Sequence, residues 1–253
     1  MAFPRLPTRR VLAEAWDIYR RELLFVLPAL LVARASVVLA ATLIVELPLT
    51  VAHLVSADGV ADGLGWSGGT GLVVEVGIAG LYASIGHHFL SGVLERVVAA
   101  DRHGHETPTL RQTFRGLPWG RLIVADLVLA VGLTLLLVAF VVPRIVIGPF
   151  LACVMPLLSM RHENLRTVWG ASWRLVRGSW LPVAVAMTVA FVLQTVLIEG
   201  TGHLVEVLTH DHTLESVAHG LAGILIIPFA ALVPVVITFD LLDLHGEDPV
   251  ERY

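Results

Sequence analysis

The chain is 253 residues long, 56% hydrophobic and 15% charged, with a mean hydropathy of +0.81. A soluble domain carries about 25% charge, so this composition excludes a water-soluble globule. All 17 basic residues are arginine, and 21 acids bring the net charge to −4, which leaves no global basic footprint for nucleic acid.

The N-terminal MAFPRLPTRR does not open a cleaved leader, because Glu14, Asp17, Arg20, Arg21 and Glu22 fall where a leader's apolar region should run. Residues 8–21 read instead as an amphipathic helix with Val11, Ala15, Ile18 and Tyr19 on one face and Arg10, Glu14, Asp17 and Arg21 on the other. The first apolar span, about 23–47, carries Arg34 near its middle and is long enough to cross a hydrocarbon layer of roughly 30 Å. A Gly-rich connection over 49–70, with Asp58 and Asp62, leads to span 2 at about 71–94, which holds His87 and His88. A short helix is predicted over 107–116, with Thr107 as N-cap, Pro108 at the first helical position and Gly116 at its end.

Span 3 covers about 122–142 and contains Asp126; only Pro143 and Arg144 separate it from a short span 4 at 145–160. The single cysteine, Cys153, lies in that short span, where it excludes an intrachain disulfide or a Cys-x-x-Cys motif and reads as a small core side chain. Residues 164–178 repeat the amphipathic pattern: Leu165, Val168, Trp169, Trp173 and Val176 oppose Arg166, Arg174 and Arg177. Span 5 at 181–198 and span 6 at 218–239 flank an acidic loop, 199–217, that contains His203, His210 and His212.

Arginine distribution decides the threading, since Arg and Lys accumulate on short cytoplasmic segments. With six spans, every arginine outside the membrane except Arg144 falls on the side of the termini; with five, the two richest loops would face opposite sides. The expected fold is therefore all-α and polytopic: six transmembrane helices in three hairpins, each preceded by a cytoplasmic interfacial amphipathic helix. Both termini are placed in the cytoplasm of a cell whose plasma (inner) membrane the chain crosses. Aligning Trp16 with Trp173 also aligns Arg20 with Arg177 and Leu23 with Trp180, a shared W-x3-R-x2-[LW] pattern. Such helices lie in the headgroup plane, where Trp anchors and Arg meets phosphate. Trp16, Arg20, Trp169, Trp173, Arg174, Arg177 and Trp180 are accordingly the candidate surface for membrane lipids or a second membrane protein, besides setting the depth of the following spans.

The segment VVPRIVIGPFLACVMPLLSMRHENLRTVWGASWRLVRGSW, with TPTLRQTFRG before it, resembles the integral-membrane domain that precedes some bacterial glycerophosphodiester phosphodiesterases, and related stand-alone six-span proteins. The shared features are a Pro/Gly-containing short span, a turn with Glu163, and the amphipathic Ser172 to Trp180 segment; the specific part is about 145–182. The soluble catalytic domain of those fusions has no room here. The resemblance implies a role in membrane or envelope homeostasis.

Ionisable groups inside spans invite a functional reading. Arg34, His87, His88 and Asp126 are the intramembrane polar set, and the similar depth of His87, His88 and Asp126 predicts an interhelical polar clasp in preference to a proton or ion relay. On the other side His203, Glu206, His210 and His212, with Glu215 and His219, are ligand types suited to zinc. H-x6-H-x-H-x6-H is not a recognised metal signature, so these read first as polar loop residues and no cofactor is implied. The Gly170-Ala171-Ser172-Trp173 stretch is not a nucleophile elbow, and no phosphate-binding loop is present. The leading expectation is a non-enzymatic accessory or lipid-interacting membrane protein. The alternative is a small-solute or ion transporter using the four intramembrane groups.

Overall fold

The computed structural model describes residues 6–22, 28, 87–115, 117–139, 141–161 and 164–247. Among them nine helices follow one another without a strand: α1 (Thr8–Arg21), α2 (His87–Arg102), α3 (Leu110–Arg115), α4 (Trp119–Ala139), α5 (Val141–Leu151), α6 (Val154–Arg161), α7 (Leu165–Arg177), α8 (Trp180–Thr209) and α9 (His212–His245). The all-α class is as expected. Span 1 apart from residue 28, and with it Arg34, the 49–70 connection and all of span 2 before residue 87 lie outside the described residues.

Among the described residues two helices, α8 and α9, are long and apolar enough to cross a membrane, which points to a membrane protein. At 1.5 Å per residue their 30 and 34 residues extend about 45 and 51 Å, well beyond a hydrocarbon layer of roughly 30 Å. α9 is central, buried almost continuously from Ile227 to Leu242, and packs on α8, α2 and α1. α8 is peripheral and leaves Leu181, Val185, Val189, Val192 and Val196 exposed, an apolar face suited to lipid.

α9 holds Pro228 and Pro234 in its interior, and α5 holds Pro149. Proline removes one ladder hydrogen bond and crowds the preceding turn, so the carbonyls there need other donors. In each helix the carbonyl three residues before the proline receives one from another helix. Tyr19 of α1 donates to Leu225, Ser91 of α2 to Ala231, and the Trp180 indole of α8 to Val146, at 2.5, 3.0 and 3.0 Å.

The structure corrects several boundaries. The outer loop expected over 199–217 is almost entirely helical, and only His210 and Asp211 turn the chain between α8 and α9. Its polar residues recur at helical spacing, and the His203–Glu206 and His212–Glu215 pairs sit on single helix faces, which supports helix where composition suggested loop. The turn is made by His210 in the left-handed conformation (φ 52°) and by Asp211, whose side chain caps α9 by accepting from the Thr213 and Leu214 amides.

Span 4 is not one rod. α5 ends at Leu151 and α6 starts at Val154, with Cys153 buried at the break. α4 begins at Trp119, three residues before the expected start of span 3. The helix expected over 107–116 begins two residues later than predicted, because Thr109 and not Thr107 caps it. Thr109 and Gln112 exchange side-chain and amide contacts in a capping box, Thr109 N–H to Gln112 Oε1 at 2.9 Å and Gln112 N–H to Thr109 Oγ1 at 3.4 Å. Thr107 instead donates to Glu22 at 2.9 Å.

Candidate functional site

The amphipathic helices α1 and α7 are the part of the molecule where sequence and structure agree most closely. α1 spans the predicted 8–21 and buries Val11, Ala15, Ile18 and Tyr19, the stripe read from periodicity. α7 buries Val168, Ala171, Ser172, Leu175 and Val176. The alignment that pairs Trp16 with Trp173 also pairs Val11 with Val168, Ala15 with Ser172, Ile18 with Leu175 and Tyr19 with Val176, so the two helices present the same positions inward.

On α7 the predicted surface tryptophans, Trp169 and Trp173, are 40% and 50% exposed. They flank the inward face, while the small Ala171 and Ser172 take its centre and let the helix approach closely. Trp16 is exposed to the same degree as Trp173, 51%. Each rests on a phenylalanine of an apolar helix: Trp173 stacks on Phe150 at 3.9 Å, and Trp16 meets Phe229 edge-on at 5.9 Å. Arg20, Arg166, Arg174 and Arg177 are exposed beside them. Trp180 serves differently, its indole fixed to the Val146 carbonyl.

Of the intramembrane set, Arg34 lies outside the described residues, as do the side chains of His87 and His88. Asp126 is fully buried on α4, and its Oδ1 accepts from the Phe89 N–H in the first described turn of α2 at 2.9 Å. It thus joins α4 to α2 through a backbone amide; the expected His–Asp contact lies outside the described residues. A second buried carboxylate escaped the sequence reading: Glu95 is fully buried on α2 and accepts from Ser159 of α6 at 3.2 Å. It lies just beyond the apolar run of span 2, where nothing in the sequence pattern marks a buried charge.

The reading also missed a polar knot at the ends of α1, α2 and α9. Arg102 reaches Glu14 at 2.8 Å, Asp240 at 2.5 Å and Asp243 at 3.0 Å, with its guanidinium 5.4 Å from the Phe239 ring centre. The second Asp240 oxygen is buried without a hydrogen-bond partner. A cavity of about 650 Å³ opens over the knot, bordered by Arg10, Glu14, His103, Phe239 and Asp243. The sequence shows only four charges on three separate segments, with no clue to their pairing.

At the opposite ends of α8 and α9, His203 Nδ1 lies 3.2 Å from Glu206 Oε2, and His212 Nδ1 lies 3.6 Å from Glu206 Oε1 and 3.2 Å from Glu215 Oε2. The hydrogen bond His212 donates to Glu215, reinforced by the Glu206 charge, raises the His212 pKa above the ordinary imidazole value. Asp211 is held below the usual carboxylate range by the Thr213 and Leu214 amides. His210 is taken away from this group by its left-handed backbone at the end of α8, and Glu215 stands with the others in its place.

No protein-family model matches the chain, and no curated protein or solved structure is similar to it.

Proposed function

We propose that the chain is a non-enzymatic, six-span protein of the bacterial plasma membrane, with both termini cytoplasmic, whose interfacial helices hold anionic lipid headgroups. One observation carries this reading. α1 and α7 bury matching faces and turn outward, at matching positions, a half-exposed tryptophan with an exposed arginine one turn on, Trp16 with Arg20 and Trp173 with Arg177. Indole at the headgroup level and guanidinium against phosphate are the two contacts such a helix makes with a lipid surface. The resemblance to the membrane domain of glycerophosphodiester phosphodiesterases agrees with a role at the lipid surface.

The test is native mass spectrometry of the full-length protein extracted gently from its own membranes, beside a variant carrying Arg20→Gln, Arg174→Gln and Arg177→Gln. Loss of retained anionic lipid from the variant, with helix content unchanged, supports the reading; equal retention overturns it. Threading is checked separately by cysteines introduced at Asp101 and at Thr209. Labelling of both from the same side of sealed vesicles refutes the six-span topology.

A second reading, transport of a small solute or ion, rests on the two fully buried carboxylates, Asp126 and Glu95. Intramembrane acids line proton and ion paths in many carriers. Proton-coupled uptake that persists in Asp126→Asn eliminates Asp126 as a relay.

A further inference from the structure

The geometry points to a divalent transition-metal site of the zinc class at the tip of the α8–α9 hairpin, with Glu206, His212 and Glu215 as ligands and His203 orienting Glu206. The inference is independent of the lipid-binding reading.

The first ground is placement. Glu206 lies on the last turn of α8, while His212 and Glu215 open α9, so the two-residue turn at His210 and Asp211 brings ligands from two helices together. One oxygen or nitrogen from each of the three lies within 4.8 Å of the others. Residues 199–209 carry the tip about 16 Å past the expected end of span 5, clear of the hydrocarbon and within reach of a hydrated ion.

Spacing is the second ground. With ligand bonds of about 2.0–2.2 Å, tetrahedral zinc sets its donors about 3.3–3.6 Å apart. His212 Nδ1 stands 3.2 Å from Glu215 Oε2 and 3.6 Å from Glu206 Oε1.

The third is the count of protons. Two carboxylate oxygens converge on the same nitrogen, yet an imidazole Nδ1 carries at most one proton and can donate well to one of them. Two carboxylates also repel each other at this separation. A dication among the three groups would satisfy both oxygens, replace the single proton and neutralise the two carboxylate charges. His203, 3.2 Å from the other Glu206 oxygen, fixes that carboxylate in the manner of an outer-shell partner. Three protein ligands leave a coordination position for water. Bound there, the ion ties the end of α8 to the start of α9.

The test uses the full-length protein without a polyhistidine tag, stripped with chelator and titrated with Zn²⁺ alone, with bound metal measured by elemental analysis. The expected result is one Zn²⁺ per chain, with affinity falling at least about tenfold in His212→Asn and in Glu206→Gln, and unchanged in His210→Asn. Helix content recorded for each variant separates loss of the site from loss of fold. Failure of the wild-type chain to take up stoichiometric zinc overturns the assignment. So does uptake that survives the His212→Asn, Glu206→Gln double variant, or that is abolished by His210→Asn with helix content intact.

Discussion

The Tyr19 hydroxyl donates to the Leu225 carbonyl at 2.5 Å, joining the amphipathic helix α1 to α9 three residues before Pro228. The same relation recurs between Trp180 and Val146 ahead of Pro149, and between Ser91 and Ala231 ahead of Pro234. A proline in a buried helix weakens the turn before it, and a donor from a neighbouring helix both satisfies the carbonyl and fixes where that neighbour docks. Tyr19→Phe removes the donor while keeping the ring contacts with Trp16 and Phe229. Its cost should be about 0.6–1.5 kcal/mol, the range for a single interhelical hydrogen bond. Thermal unfolding of the protein in detergent measures it; a midpoint equal to wild type contradicts a stabilising role for the bond.

Arg102 calls for a larger number. Its guanidinium answers three carboxylates, and one of them, Asp240, is nearly excluded from solvent. Replacing the arginine with methionine strands that carboxylate among apolar groups, and breaking one side of a buried pair costs about 3–5 kcal/mol. Arg102→Met combined with Asp240→Leu should recover much of the loss, because the most buried of the three carboxylates is removed with its partner, while Glu14 and Asp243 keep more access to water. Equilibrium unfolding of the single and double variants distinguishes this from a surface ion pair, for which neither substitution would shift stability by more than about 1 kcal/mol.

The cap of α9 is a local device on an exposed turn. Asp211 Oδ1 accepts from Thr213 N–H at 2.7 Å and from Leu214 N–H at 3.4 Å. Asp211→Ala should leave the unfolding midpoint nearly unchanged while speeding hydrogen exchange at those two amides and fraying the first turn. Asp211→Asn, which retains an acceptor, should exchange at close to the wild-type rate. Equal exchange in the alanine variant would show that the cap does not hold the turn.

The amphipathic helices were legible because two signals coincide in them. In α1 the apolar residues Val11, Ala15 and Ile18 repeat with helical period, and charges fill the opposite face, so the stripe and the limits both followed from the chain. In α7 the period gave Val168 and Val176, which are buried, but not the small Ala171 and Ser172 that are buried between them, since periodicity of large apolar residues does not register small ones. The 199–217 segment failed for the opposite reason: Glu206, His212 and Glu215 resemble loop composition until their spacing is read as helix. Thr107 and Thr109 are equally plausible caps by type, and the Gln112 partner decides between them. Arg102 and Asp240 lie 138 residues apart in the chain, and no local pattern encodes that pairing.

Gly92 shows how close the helices come. A β-carbon there would sit 2.9 Å from Leu122 Cδ2 on α4 and 3.4 Å from the Met155 carbonyl oxygen on α6, so the glycine lets α2 approach two neighbours at once. Two effects oppose each other in Gly92→Ala. Alanine favours helix by about 1 kcal/mol over glycine, while Leu122, fully buried, must yield several tenths of an ångström. The sum should fall near zero. Gly92→Val loses most of that gain through its branched β-carbon and adds two methyl groups against the same neighbours, so overpacking of about 1–3 kcal/mol should dominate. Unfolding of both variants in detergent tests the close approach. A valine variant as stable as the alanine one would mean that α2 has room at this position.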